Sequence, residues 1–182
     1  MDIVLRESDR LNQTIRSFLA YARPQRATIT RFDLAQLVSD TARLLRNGAD
    51  VQDHHAVDVE VPAGPVWLEF DENQMRQIVW NLATNGLRAM PSGGRLVLAA
   101  SVDRASEGVT ISVRDEGVGI PPEELDRLFQ PFHGRFAKGT GLGLAIVHRI
   151  VTDYNGEIHV SSQPGRGTTV SVRLPARAAV TT

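Results

Sequence analysis

The chain has 182 residues, 42% of them hydrophobic, with 20 Lys and Arg balanced by 21 Asp and Glu. That composition supports one buried core plus a short extra element, and it lacks the basic excess that grips a nucleic-acid backbone. The absence of Cys excludes disulfides and thiolate metal sites, and no window reaches the ~18 to 20 apolar residues of a membrane span. With no export signal at the N-terminus, the chain is expected in the cytoplasm.

Residues 2–22 read as one helix. Val4, Leu11 and Phe18 recur every seventh residue, as do Ser8, Ile15 and Ala22, and the pattern stops before Pro24. Such a stripe suits a two-helix seam, or a helix lying on a neighbouring domain. Residues 25–31 read as a linker, residues 32–176 as the main domain and residues 177–182 as a tail.

Within the main domain, Asp33 to Asn47 has helical spacing, and Val57, Val59 and Val61 alternate with Asp58 and Glu60 as in a half-buried strand. A second strand carries Val66, Leu68 and Phe70 on one side. Asp71 and Gln74 form a capping box that opens a helix running to Met90, before Pro91 and Gly93-Gly94. Strands follow at 96–102 and 109–115, then a short helix at 122–129. A helix from Leu142 to Asn155, capped by Gly156, precedes strands at 157–161 and 168–174. The expected architecture is α/β, a two-layer sandwich of a mixed sheet with helices on one face, preceded by a long N-terminal helix.

Three segments carry chemistry. On the helix from Glu72 to Met90, Gln74, Gln77, Asn81, Asn85 and Arg88 share one narrow stripe, opposite Met75, Ile78, Val79, Leu82 and Met90. Two Asn four apart in a helix interior cost propensity without the return of an ion pair. They read either as a solvated face or as oxygen ligands for Mg²⁺ and donors for phosphate. Next, Asp115-Glu116-Gly117-Val118-Gly119 closes an alternating strand. A carboxylate there accepts from an exocyclic amine, and the glycines let a flat ring approach, which suits adenine and rejects guanine; an ordinary turn has the same letters. Finally, Gly139-Thr140-Gly141-Leu142-Gly143 opens a helix, where free N–H groups and the helix dipole favour phosphate. It is not a P-loop, because Thr140 stands where Lys is required, and Leu144 breaks the Rossmann pattern.

Taken in order, Asn81-Leu-Ala-Thr-Asn85, Asp115-x-Gly117-x-Gly119, Phe129-Gln-Pro-Phe132, Gly139-Thr140-Gly141-Leu142-Gly143 and Gly165-Arg-Gly167-Thr168 resemble the N, G1, F, G2 and G3 boxes of sensor histidine kinases. The likeness covers about residues 70–175 and implies a Bergerat ATP-binding fold. Residues 1–24, with Arg10-Leu-Asn and Phe18-Leu-Ala-Tyr-Ala-Arg-Pro24, resemble the second dimerisation helix of the NtrB-like and PilS-like subgroup.

The resemblance implies ATP and Mg²⁺ as ligands. Asp115 would accept from the adenine amine, Asn85 would ligate Mg²⁺, and Asn81 would contact phosphate or a metal-bound water. Gly117, Gly119, Ile120, Arg88 and Thr168 would line the nucleotide site. Phe132, Gly139, Thr140, Gly141, Leu142 and Gly143 would belong to a lid over the phosphates. Lys138 or Arg135 would neutralise charge on the γ-phosphoryl group, unless each is merely a solvated loop charge. The implied partners are a histidine-bearing dimerisation helix, a second copy of the kinase and a response-regulator receiver domain, with membrane contact only through upstream segments.

Departures from the pattern are informative. Gly86 stands where Ala is usual, Val170 where Phe is usual, and residues 133–137 differ from the common lid. None of the five His, at 54, 55, 133, 148 and 159, lies on a phosphoacceptor helix, so the sequence reads as a piece of a longer protein or an engineered one, unable to phosphorylate itself alone. Related ATPases of the gyrase, Hsp90 and MutL type carry Glu at the position of Asn81 as a general base, and an amide cannot abstract a proton. Anti-sigma-factor serine kinases would not begin with such a dimerisation helix. A non-enzymatic, nucleotide-gated binding module is the remaining alternative.

Overall fold

Strands with one apolar face and helices with one apolar stripe bury both when the helices stack on one side of a sheet. The computed structural model describes residues 27–48, 51, 54–103, 108–132 and 141–175. The expected helix at 2–22, the tail at 177–182 and the lid residues 133–140 lie outside the described residues.

In chain order the elements are β1 (Thr30–Asp33), α1 (Leu34–Arg46), β2 (His55–Glu60), β3 (Trp67–Phe70), α2 (Glu72–Arg88), β4 (Gly94–Asp103) and β5 (Gly108–Asp115). They are followed by α3 (Pro122–Leu125), α4 (Gly143–Asp153), β6 (Glu157–Gln163) and β7 (Gly167–Pro175). Five strands form one sheet in the order β2-β4-β5-β7-β6. The β2–β4 pair is parallel and the other three pairs are antiparallel. The mixed sheet expected from the sequence is thus observed.

Alternation decides which face is buried. Along β5, Val109, Ile111, Val113 and Asp115 are buried while Arg114 is exposed. From α2, Met75, Ile78, Val79, Leu82 and Leu87 enter the same core as Leu96, Leu98 and Ile111 from the sheet. The opposite face carries an exposed charge ladder that includes Arg95 with Asp58, Arg114 with Glu60 and Arg173 with Asp103. Exposed pairs of this kind add little to stability.

Two helix starts are fixed by carboxylates. Asp33 caps α1 by accepting from Ala35 N–H at 3.0 Å and also from Val66 N–H at 2.8 Å. Asp71 caps α2 by accepting from Asn73 and Gln74 N–H at 2.9 and 3.2 Å, while its other oxygen accepts from Thr28 N–H at 2.8 Å.

The structure departs from the sequence reading at several element boundaries. Strand β1 begins inside the stretch read as a linker and pairs antiparallel with β3 in a separate two-stranded sheet, joining buried Phe32 to Leu68. The Arg31 guanidinium covers the exposed Trp67 ring at 4.9 Å. The short helix ends at Leu125 instead of Phe129 and continues as turns. Helix α4 runs from Gly143 to Asp153, and its left-handed cap residue is Asn155, φ 54°, not Gly156. Gly156 N–H donates to Val151 O at 2.8 Å and Asn155 N–H to Thr152 O at 3.0 Å, a Schellman closure. Helix α2 stops at Arg88, two residues before Met90.

Candidate nucleotide site

The cleft is built where α2, the end of β5 and the starts of α4 and β7 meet. The period of β5 places Asp115 in line with Val109, Ile111 and Val113, so the carboxylate sits at the buried end of an apolar row, 7% exposed. Its Oδ1 accepts from Gly117 N–H at 2.9 Å and Thr168 N–H at 3.3 Å. Among the described residues Oδ2 receives no hydrogen bond. Burial raises the Asp115 pKa, and the Gly117 and Thr168 N–H groups partly oppose that rise.

Close backbone packing shapes the turn after β5. At Gly119, φ 69°, a β-carbon would stand 2.0 Å from Gln163 O, and at Gly167, φ 89°, 2.0 Å from Asp115 O. Only glycine allows these contacts. Val118 N–H donates to Ala89 O at 3.0 Å, and Gly165 N–H to Val118 O at 2.8 Å, so the turn is tied to α2 on one side and to the β6–β7 connection on the other. Ile120 N–H is held by the Ser162 hydroxyl at 2.8 Å.

Helical spacing brings Asn81, Asn85 and Arg88 to one side of α2, all half-buried. Asn81 Nδ2 donates to Gly143 O at 3.3 Å, which leaves Oδ1 as an acceptor. A β-carbon on Gly143 would stand 3.7 Å from both Asn81 Oδ1 and Asn85 Nδ2, so the start of α4 lies against both amides. The departure at Gly86 has a steric reason. A β-carbon there would meet Leu96 Cδ1 at 2.6 Å and Asp115 Cβ at 3.3 Å. Leu96 fills the space that a methyl group at position 86 would use.

Of the residues expected in a lid, Phe132, Gly141, Leu142 and Gly143 lie among those described. Phe132, φ 63° and 63% exposed, donates its N–H to Gly141 O at 3.0 Å and so closes the base of the segment 133–140 through its backbone. The Phe129 ring lies 5.5 Å from that of His148 on α4. Leu142 is fully buried in the apolar core at the start of α4. Arg135, Lys138, Gly139 and Thr140 lie outside the described residues.

Ser162 escaped the sequence reading. Its hydroxyl meets Ile120 N–H, Gly167 O at 3.1 Å and Thr168 Oγ1 at 2.8 Å, but one of two adjacent serines, Ser161 and Ser162, in a strand carries no signal of such a role.

The family described as "Histidine kinase-, DNA gyrase B-, and HSP90-like ATPase" matches residues 70–178. The chain belongs to this family. Sporulation kinase C of Bacillus subtilis (strain 168) is 33% identical over 174 residues, covering 96% of this chain and 40% of that protein. Sensor histidine kinase ZraS of Escherichia coli (strain K12) is 32% identical over 176 residues, covering 95% and 37%. The chain thus spans about two fifths of the length of these relatives. Full-length ShkA in complex with AMPPNP superposes with a TM-score of 0.84 at 27% identity, over 98% of this chain and 39% of that one. The fold is therefore that of the ATP-binding catalytic domain of sensor histidine kinases.

Proposed function

We propose that this chain binds Mg²⁺-ATP between α2 and the start of α4 and passes the γ-phosphoryl group to a histidine outside the chain. The observation that carries the reading is Asp115. A buried carboxylate with Oδ1 saturated by two N–H groups and Oδ2 left without one is an acceptor for an exocyclic amine, and adenine offers that amine beside a flat ring.

The residues present fit a shared magnesium ion. Among the described residues no group of three His, Asp or Glu could hold a metal unaided. Mg²⁺ is commonly held by one or two protein oxygens together with substrate phosphates. Asn85, next to Asn81 and Gly143, would supply such an oxygen, and the ion would draw charge from the phosphates. Asn81 would then contact phosphate, Arg88, Gly117, Gly119, Ile120 and Thr168 would line the site, and the lid cations Lys138 and Arg135 would lie near the γ-phosphoryl group.

Asn81 also favours transfer over hydrolysis, because an amide offers no base for water. We assign the N-terminal segment 1–24 to the second helix of an NtrB-like or PilS-like dimerisation hairpin, the catalytic domain to 32–176, and the partners to a second kinase copy and a response-regulator receiver. We also place the catalytic domain in the cytoplasm; among the described residues no helix is long and apolar enough to cross a membrane.

The test supplies a separately made dimerisation hairpin bearing the phosphoacceptor His, with labelled ATP. Label on the hairpin histidine is the expected result. Steady phosphate release with no labelled hairpin would move the chain to the ATPase branch, and binding with neither outcome would make it a nucleotide-gated module.

A further inference from the structure

We propose that Ser162 is a positioning residue for the adenine edge, turning the Thr168 hydroxyl into a hydrogen-bond donor toward the ring nitrogen beside the amine. The inference rests on the adenine reading of the site. Thr168 is 7% exposed, and its N–H already bonds Asp115 Oδ1, so its hydroxyl belongs to the wall next to the amine acceptor.

Ser162 Oγ accepts from Ile120 N–H at 2.8 Å and lies 3.1 Å from Gly167 O and 2.8 Å from Thr168 Oγ1. Two hydroxyl protons serve three places: the Ser–Thr contact, the Gly167 carbonyl and the cleft. One proton must bridge the two hydroxyls. If Thr168 donates that bridge, Ser162 turns to Gly167 and the cleft meets only a Thr168 lone pair. If Ser162 donates it, the Thr168 proton is free for the cleft.

A base presenting a ring nitrogen acceptor selects the second arrangement, at the expense of the longer contact to Gly167 O. The incoming bond from Ser162 also strengthens Thr168 as a donor. Adenine has such a nitrogen next to its amine, so Asp115 and Thr168 would read neighbouring atoms of one edge. Ser162 touches neither base atom and acts through Thr168.

The test is a cycle of two deletions, read by calorimetric Kd. ATP and 1-deaza-ATP, which lacks only that ring nitrogen, are titrated into the wild-type chain and into Ser162→Ala. Loss of the ordered donor should weaken ATP about fivefold, while 1-deaza-ATP changes less than about twofold. Ser162→Thr, which keeps a hydroxyl, should restore the ATP value. Equal weakening of both ligands would mean that Ser162 only props the Ile120 turn, and unchanged ATP affinity in Ser162→Ala would equally overturn the relay. No ATP binding by the wild type would instead strike the adenine reading on which the inference rests.

Discussion

Thr168 donates its main-chain N–H to Asp115 Oδ1 at 3.3 Å, so the first residues of β7 hold the carboxylate that ends β5. With Gly117 N–H on the same oxygen, the side chain is fixed before any ligand arrives. Exchange to Asn keeps Oδ1 for those two donors and turns an NH₂ group toward the cleft. Two donors would then face each other where an adenine amine enters. Asp115→Asn should weaken ATP binding by at least about thirtyfold, the effect of leaving a buried polar pair unmatched, while the circular dichroism spectrum is retained.

The raised pKa of Asp115, caused by burial, gives a pH dependence with a definite sign. Protonation replaces an acceptor by a donor, so ATP affinity should fall with decreasing pH, beginning above the usual carboxylate range. For folding the sign is opposite. A carboxyl with a folded pKa above its unfolded value contributes stability at low pH that is lost as pH rises through the folded pKa. Asp115→Asn should therefore gain stability relative to wild type on going from mildly acidic to neutral pH, as followed by urea titration at each pH; a difference that stays flat would refute the assigned cause.

Gly86 and Leu96 are a matched pair. A methyl group on Gly86 would come 2.6 Å from Leu96 Cδ1, an overpacking costing about 1–3 kcal/mol against a helix-propensity gain of about 1 kcal/mol. Gly86→Ala should thus lower stability in the wild type and do so less, or not at all, in a Leu96→Val background. Additive effects in the double variant would contradict the steric explanation.

Asp71 links α2 to the start of the domain by capping Asn73 and Gln74 while accepting from Thr28 N–H. Loss of the cap and the tether should make Asp71→Ala less stable by about 2 kcal/mol. Amide exchange at Thr28 should accelerate far more than exchange within β5, which can be read residue by residue.

The sequence made the cleft legible wherever a residue type is costly unless it has a use. Asn81 and Asn85 in mid-helix, Asp115 on the apolar side of its strand and the paired glycines of its turn all stood out for that reason. Their meeting in one site was implied only by the resemblance to the histidine-kinase boxes, since helical and strand periods fix the face of each element but not which faces meet. Strand β1 did not stand out, since Thr30–Asp33 contains a single buried apolar residue and takes its form from tertiary pairing with Trp67–Phe70. Asn155 was passed over for Gly156 because Asn tolerates the left-handed region less often than Gly. Ser162 and the Gly86–Leu96 fit depend on neighbours distant in the chain, which no local pattern encodes.

The decisive measurement is calorimetric titration of ATP into the wild-type chain and Asn85→Ala, each with and without Mg²⁺. The wild type should bind ATP, and bind it more tightly with Mg²⁺, whereas Asn85→Ala should lose most of the magnesium-dependent gain. Absence of ATP binding by the wild type, or a magnesium effect of equal size in Asn85→Ala, would contradict the Mg²⁺-ATP assignment.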